Sequence, residues 1–172
     1  MATPADVEMV TEQLGRAPLA EFDVVVRRAD GHPVVIRNAP FLIDGRPMPT
    51  RYWLVDTALV TSVSRLESHG GVRAAEAAVD AQELIAAHHV YEHERNGAIA
   101  PGTPRPRPSG GVGGTREGVK CLHAHYAYWL AGGRDPVGEW VGERLAEPPI
   151  AGASFDYQIA QSNDARETGV AR

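Results

Sequence analysis

Side chains able to do chemistry concentrate in one run, Arg116-Glu117-Gly118-Val119-Lys120-Cys121-Leu122-His123-Ala124-His125. Its periodicity predicts a helix from Arg116 to Ala131 with Thr115 as N-cap. In that helix Val119, Leu122, Tyr126, Trp129 and Leu130 form the apolar stripe, and Arg116, Lys120 and His123 stack on one flank at i, i+4 and i+7. Such a cationic stripe opening a helix suits an anion, because free backbone N–H groups and the positive end of the dipole gather there. Arg116 and Lys120 would add charge-assisted hydrogen bonds, and His123 would carry a proton near neutral pH as general acid or base. The glycines before the run do not make a P-loop, since no Gly-Lys-Ser/Thr closes them. The competing expectation is a solvated basic face with a histidine at its edge.

Metal chemistry is a second option for the same segment. Cys121 and His125 lie one turn apart and could both hold zinc, with His89 and His93, also one turn apart, as distant candidates for the remaining ligands. In the predicted long helix, however, Ala77, Ala81, Leu84, His88, Tyr91 and Arg95 form the inward stripe, which turns His89 and His93 toward solvent. A thiol–imidazole pair from Cys121 and His123 is disfavoured, because two helical residues rotate their side chains roughly 200° relative to each other. A small buried apolar residue is the plain alternative for Cys121.

Polar groups on the inward stripe need partners. His88, Tyr91 and Arg95 either enter a salt-bridge lattice, in which Arg65 or Arg95 meets Glu67 or Glu94, or converge with Arg116, Lys120 and His123 on one cleft. In the second case Arg65 and Arg95 join the ligand-binding set.

The elements that must position these groups follow from pattern. Asp6 to Leu14 reads as a short helix ending at Gly15, Glu21 to Arg28 as a strand, Asp30-Gly31 as a hairpin turn and Pro33 to Arg37 as the returning strand. A third short strand is expected near Phe41-Leu42-Ile43. From Tyr52 the period becomes helical, with Tyr52, Val55, Leu59, Val63 and Leu66 on one stripe and further apolar residues beside it, so a buried central helix is predicted up to Gly70-Gly71. A long helix from about Val72 to Arg95 follows. The Pro/Gly loop 100–114 is either a flexible connector or a flap over a site. Asp135-Pro136 starts a last helix to about Leu145, and 148–172 reads as a loosely ordered tail. The fold class is α+β: one domain over 1–147, with a small antiparallel hairpin or sheet near the N-terminus packed on about four helices.

Composition sets the outer bounds. The 172 residues carry 17 Lys+Arg against 22 Asp+Glu, a net charge of −5, which argues against a nucleic-acid partner. The single cysteine precludes an intrachain disulfide and a four-cysteine zinc site. No signal peptide is expected, and the most apolar stretch, Tyr52 to Val63, is broken by Asp56 and shorter than the roughly 20 residues of a bilayer span. A cytoplasmic protein without membrane contact is the expectation.

Several segments together are similar to a bacterial family. Leu14-Gly15-Arg16, Pro49-Thr50 before Tyr52-Trp53-Leu54, Ser64-Arg65-Leu66-Glu67, Gly118 to His125 and Asp135-Pro136-Val137-Gly138 resemble the family catalogued as "domain of unknown function 501". The likeness covers about residues 5 to 146, with Lys-Cys-Leu-His its most specific element. It implies a bacterial cytoplasmic protein and brings no activity or cofactor. Members often carry a proline after Tyr-Trp-Leu where this chain has Val55-Asp56-Thr57, which bears on where the core helix starts. Members are sometimes labelled septum formation initiators, although this chain lacks the heptads and membrane helix that role needs.

The leading functional expectation is a pocket for an anionic, phosphorylated small molecule, in a hydrolase or phosphoryl-transfer enzyme. Its rivals are a division-linked interaction protein docking through the basic Pro-Arg-Pro-Arg-Pro segment and the C-terminal tail, and a zinc protein using Cys121 and histidines.

Overall fold

The computed structural model describes residues 1–146 and 157–159, so the tail expected over 148–172 lies outside the described residues except for one short strand. The order is α1 (Pro4–Leu14), β1 (Phe22–Arg28), β2 (Pro33–Asn38), β3 (Tyr52–Leu54), α2 (Thr57–Ser68), α3 (Gly71–Ala78), α4 (Ala81–Gly97), α5 (Leu122–Leu130), α6 (Pro136–Ala146) and β4 (Tyr157–Ile159). The sheet runs β3-β2-β1-β4, with antiparallel neighbours throughout. The fold is α+β, as the pattern predicts. Among the described residues no helix is long and apolar enough to cross a membrane.

Both faces of the sheet are covered, which explains the nearly continuous apolar character of β2, where Pro33, Val34, Val35 and Ile36 are all buried. On one face Phe22, Ile36 and Val55 pack against Val10 of α1. On the other, Val26, Val35, Tyr52 and Leu54 join the main core with α5, α6 and the inner faces of α2 and α4. β1 is bulged between Val24 and Val26: Val24 pairs with Ile36 and Val26 with Val35, leaving Val25 as the extra residue.

The third strand is Tyr52–Leu54, not Phe41–Ile43, where only a single bridge from Phe41 to Pro47 forms. Tyr52, Trp53 and Leu54 alternate between two apolar clusters, which imitates a helical stripe when read as a list. Asp56 then starts α2. Its carboxylate accepts from the Leu59 backbone N–H at 2.9 Å and receives Arg28 in a two-point ion pair at 2.5 and 2.8 Å. Burial opposes the charge on Asp56, but these donors outweigh it and hold the carboxyl below its ordinary range.

The expected central helix is therefore shorter and more superficial than its composition suggests, with only Leu59 and Val63 buried. The buried helix is α5, in which Leu122, Ala124, His125, Tyr126, Ala127, Tyr128 and Leu130 are all inside. The long helix predicted from Val72 to Arg95 is two helices. Asp80 caps a new start by accepting from the Gln82 and Glu83 N–H groups, while Val79 before it is extended. Of the expected inward stripe, Leu84, His88, Tyr91 and Arg95 are buried, whereas Ala77 on α3 and Ala81 at the start of α4 are exposed; His89 and His93 are exposed, as their spacing requires.

Candidate functional site

The helix that carries the Lys-Cys-Leu-His motif begins at Leu122 rather than at Arg116. Gly118 adopts a left-handed conformation (φ 64°) that a helix cannot contain, and Cys121 is extended (φ −157°, ψ 123°) as the N-cap. The expected Arg116–Lys120–His123 stripe therefore does not form. Arg116 and Lys120 are exposed on the preceding loop, and His123 is the second residue of α5.

This shift reverses the expected relation of Cys121 and His123. With Cys121 outside the helix, its sulfur lies 3.7 Å from Nδ1 of His123. Glu67, near the end of α2, brings Oε1 to 3.2 Å from the same nitrogen. The sulfur, the nitrogen and a carboxylate oxygen all lie within 4.8 Å of one another. Each residue is partly buried.

The histidine's orientation is fixed from behind. Nε2 lies 3.2 Å from the Val60 carbonyl and 3.2 Å from the Ser64 hydroxyl. A carbonyl only accepts, so Nε2 carries hydrogen and Nδ1 is the atom presented to Cys121 and Glu67. Glu67 is held in turn, accepting from the Leu122 backbone N–H at 2.6 Å. The anion position at the start of α5 is thus occupied by the chain's own carboxylate.

Burial works against charge on His123. It is outweighed by the hydrogen bond and electrostatic attraction of Cys121 and by the negative charge of Glu67, so the pKa rises from 6.5 to about 9. A nucleophile–base–acid chain would put thiol and carboxylate on opposite ring nitrogens. Here both address Nδ1, an arrangement suited to sharing one cation. On a tetrahedral zinc, sulfur and imidazole nitrogen would sit about 3.6 Å apart, and nitrogen and carboxylate oxygen about 3.4 Å apart. The observed 3.7 and 3.2 Å lie close to both separations.

The remaining sequence candidates sit elsewhere. His125, paired with Cys121 in the sequence reading, is fully buried and points to Asp135, with Nδ1 at 2.8 and 3.0 Å from the carboxylate oxygens. Asp135 also caps α6 by accepting from the Gly138 N–H. Arg95 is fully buried, and its guanidinium donates to the carbonyls of Pro49, Pro108 and Gly110 at 3.1, 3.0 and 2.7 Å. It therefore pins the second half of the 100–114 loop to α4. His88 braces the adjoining segment, accepting from the Val112 N–H through Nδ1 and donating through Nε2 to the Gly118 carbonyl. Tyr91 accepts from the backbone of Arg51 and Tyr52. Arg65 is exposed on α2, two residues from Glu67.

Glu67 is the ligand candidate that sequence reasoning passed over. In the sequence it reads as a salt-bridge partner for Arg65 or Arg95 and as part of Ser64-Arg65-Leu66-Glu67; in the structure it meets His123, while Arg95 pairs with Glu92 and Glu94 with Arg51.

The family described as "Protein of unknown function (DUF501)" matches residues 24–143, and the chain belongs to it. No curated protein and no solved structure shows significant similarity to the chain.

Proposed function

Starting from membership in a family without an assigned activity, we propose that this chain is a metal-dependent protein in which Glu67, Cys121 and His123 hold one divalent transition-metal ion. The observation that carries the reading is the convergence of Sγ, Nδ1 and Oε1 within 4.8 Å. A thiolate, an imidazole and a carboxylate favour zinc over the oxygen-preferring cations. The Val60 carbonyl and the Leu122 N–H supply the outer contacts that normally orient such ligands. Three protein ligands leave the fourth position of a tetrahedral ion open, the pattern of catalytic rather than structural zinc. A metal there supplies Lewis acidity for a bound water or a substrate oxygen. His123 is then a ligand through Nδ1 and not a mobile proton carrier.

A phosphorylated or otherwise anionic substrate fits this centre. Arg116 and Lys120 are exposed on the segment that leads into Cys121 and His123, whereas Arg65 lies on α2 two residues from Glu67 and so points away from it. Neither Arg116 nor Lys120 makes an ion pair among the described residues. Unneutralised cations beside a metal attract anions and raise their local concentration. Metal analysis of purified protein, followed by zinc titration, tests the reading. One equivalent of zinc is expected in the native chain, with affinity lowered at least about tenfold in Cys121→Ser and in His123→Ala. Native-like affinity in both variants would overturn it. Zinc-dependent cleavage of p-nitrophenyl phosphate, reduced in Lys120→Ala at unchanged metal content, tests the anionic-substrate part separately.

A docking role for residues 100–114 is the other reading with an observation behind it, since Arg105 and Arg107 are both exposed there. A pull-down with and without that segment tests it, and identical captured partners would exclude it.

A further inference from the structure

A concavity of about 480 Å³ opens beside the carboxyl end of α5, and its lining includes none of Glu67, Cys121 and His123. That volume lies within the usual range for small-molecule clefts. Its walls include Val25, Tyr52, Val90, Glu94, Tyr128 and Arg134. The bulge in β1 contributes Val25, and Val90 is one of the few large apolar side chains left exposed.

Most polar groups in this cleft are already engaged. Glu94 accepts from the Tyr52 hydroxyl and pairs with Arg51 at 3.2 Å. Arg37, also in the lining, pairs with Asp23 at 3.2 Å. Two groups stand apart. Arg134 makes no hydrogen bond or ion pair among the described residues. Tyr128 lines the cleft and is only 3% exposed, and its hydroxyl makes no hydrogen bond among the described residues while keeping some contact with solvent.

The Tyr128 ring cannot easily swing away. Tyr52 and Tyr91 pack on it with centroids at 5.4 and 5.0 Å. The Gly133 backbone lies so close that a Cβ there would approach the ring to 2.3 Å. Burial, with the charge of Glu94, pushes the phenol up to about 12, so it stays a donor at neutral pH.

We propose that this cleft binds a small organic monocarboxylate with an apolar body, its carboxylate held by the Arg134 guanidinium and the Tyr128 hydroxyl. The lining carries net positive charge, which suits an anion: Glu94 is paired with Arg51, Arg37 shares Asp23 with the Met1 amino group, and Arg134 has no ion pair among the described residues. Val25, Val90 and the tyrosine rings take the apolar part. The assignment is independent of the metal reading.

Amide chemical-shift titration of the full chain tests it, with phenylacetate as probe and 2-phenylethanol as its neutral counterpart. Phenylacetate is expected to saturate at millimolar concentrations, with shifts centred on residues 131–134. Arg134→Gln should weaken it at least about tenfold and Tyr128→Phe several-fold, since each loses a donor to a charged oxygen. Neither the Arg134 guanidinium nor the Tyr128 hydroxyl has a hydrogen bond to lose among the described residues, and Tyr128→Phe keeps the ring that packs on Tyr52 and Tyr91. Binding should persist in Cys121→Ser, so loss of the metal site would not remove it. Absence of saturation, equal binding of the alcohol, or unchanged affinity in Arg134→Gln would overturn the proposal.

Discussion

His123 receives opposite instructions from its surroundings. Burial favours the neutral ring, while Cys121 and Glu67 favour the imidazolium, and the latter prevail. In the metal-free protein a raised pKa stabilises the fold. That contribution is complete below pH 6.5, where both states are protonated, and is lost as the pH climbs through about 9. His88 behaves in the reverse sense. Its pKa is lowered, chiefly by burial, so its contribution is complete above 6.5 and is lost as the pH falls toward the folded value. Denaturant titrations of metal-free protein across pH should therefore show an alkaline decline that flattens in His123→Gln. An identical alkaline slope in that variant would mean that the imidazolium is not held as described. The thiol and the imidazole of this site were legible in the sequence, since Lys-Cys-Leu-His was singled out, whereas the carboxylate of Glu67 was not. Their mutual geometry was not, because it turns on one residue's backbone: Cys121 inside a helix faces away from His123, whereas Cys121 as an extended N-cap meets it.

Element boundaries account for most of the differences between pattern and structure. Tyr52–Leu54 and Asp80 were both misplaced by periodicity. An alternating triplet preceding a true helix extends its apparent stripe, and an aspartate N-cap inside an alanine-rich run leaves the helical period nearly intact. The hairpin, the start of α6 at Asp135-Pro136 and the inward face of α4 were readable because each rests on local signals: a turn pair, a cap with proline, and an alternating four- and three-residue spacing. Gly118 was the overlooked breaker. Its positive φ ends the loop conformation that delivers Cys121, and its carbonyl is anchored by His88. Gly118→Ala must carry a side chain in the left-handed region and presses its Cβ to 2.7 Å from Glu76 Oε1. A loss of about 1–2 kcal/mol is expected in chemical denaturation. Zinc affinity should fall with it, although no ligand has been removed. Unchanged stability would show that the segment has another conformation at no cost.

Across the whole molecule, the site is assembled from parts distant in sequence. Glu67 comes from α2, Cys121 and His123 from the start of α5, and the intervening loop is tied down by Arg95 and His88. Arg95→Met removes three donors to buried or partly buried carbonyls, those of Pro49, Pro108 and Gly110. About 3 kcal/mol of stability should go, with faster protease cleavage between residues 100 and 114. Cleavage at the native rate would contradict the clamp. Sequence reasoning placed Arg95 inside but gave it an acidic side chain or a ligand as partner, since burial alone does not tell which acceptors a guanidinium will find. The α+β class was legible because apolar period and turn chemistry agree locally, whereas convergence of α2 with α5 is a tertiary fact that no single segment encodes. The central claim is that convergence read as a metal centre. Cobalt(II) titration monitored in the near ultraviolet and visible tests it most directly, because a thiolate bound to cobalt gives intense charge-transfer absorption. We expect a one-to-one complex with that band, displaced by zinc, lost in Cys121→Ser and weakened in Glu67→Gln. A cobalt spectrum without the thiolate band, or one identical in Cys121→Ser, would contradict the account.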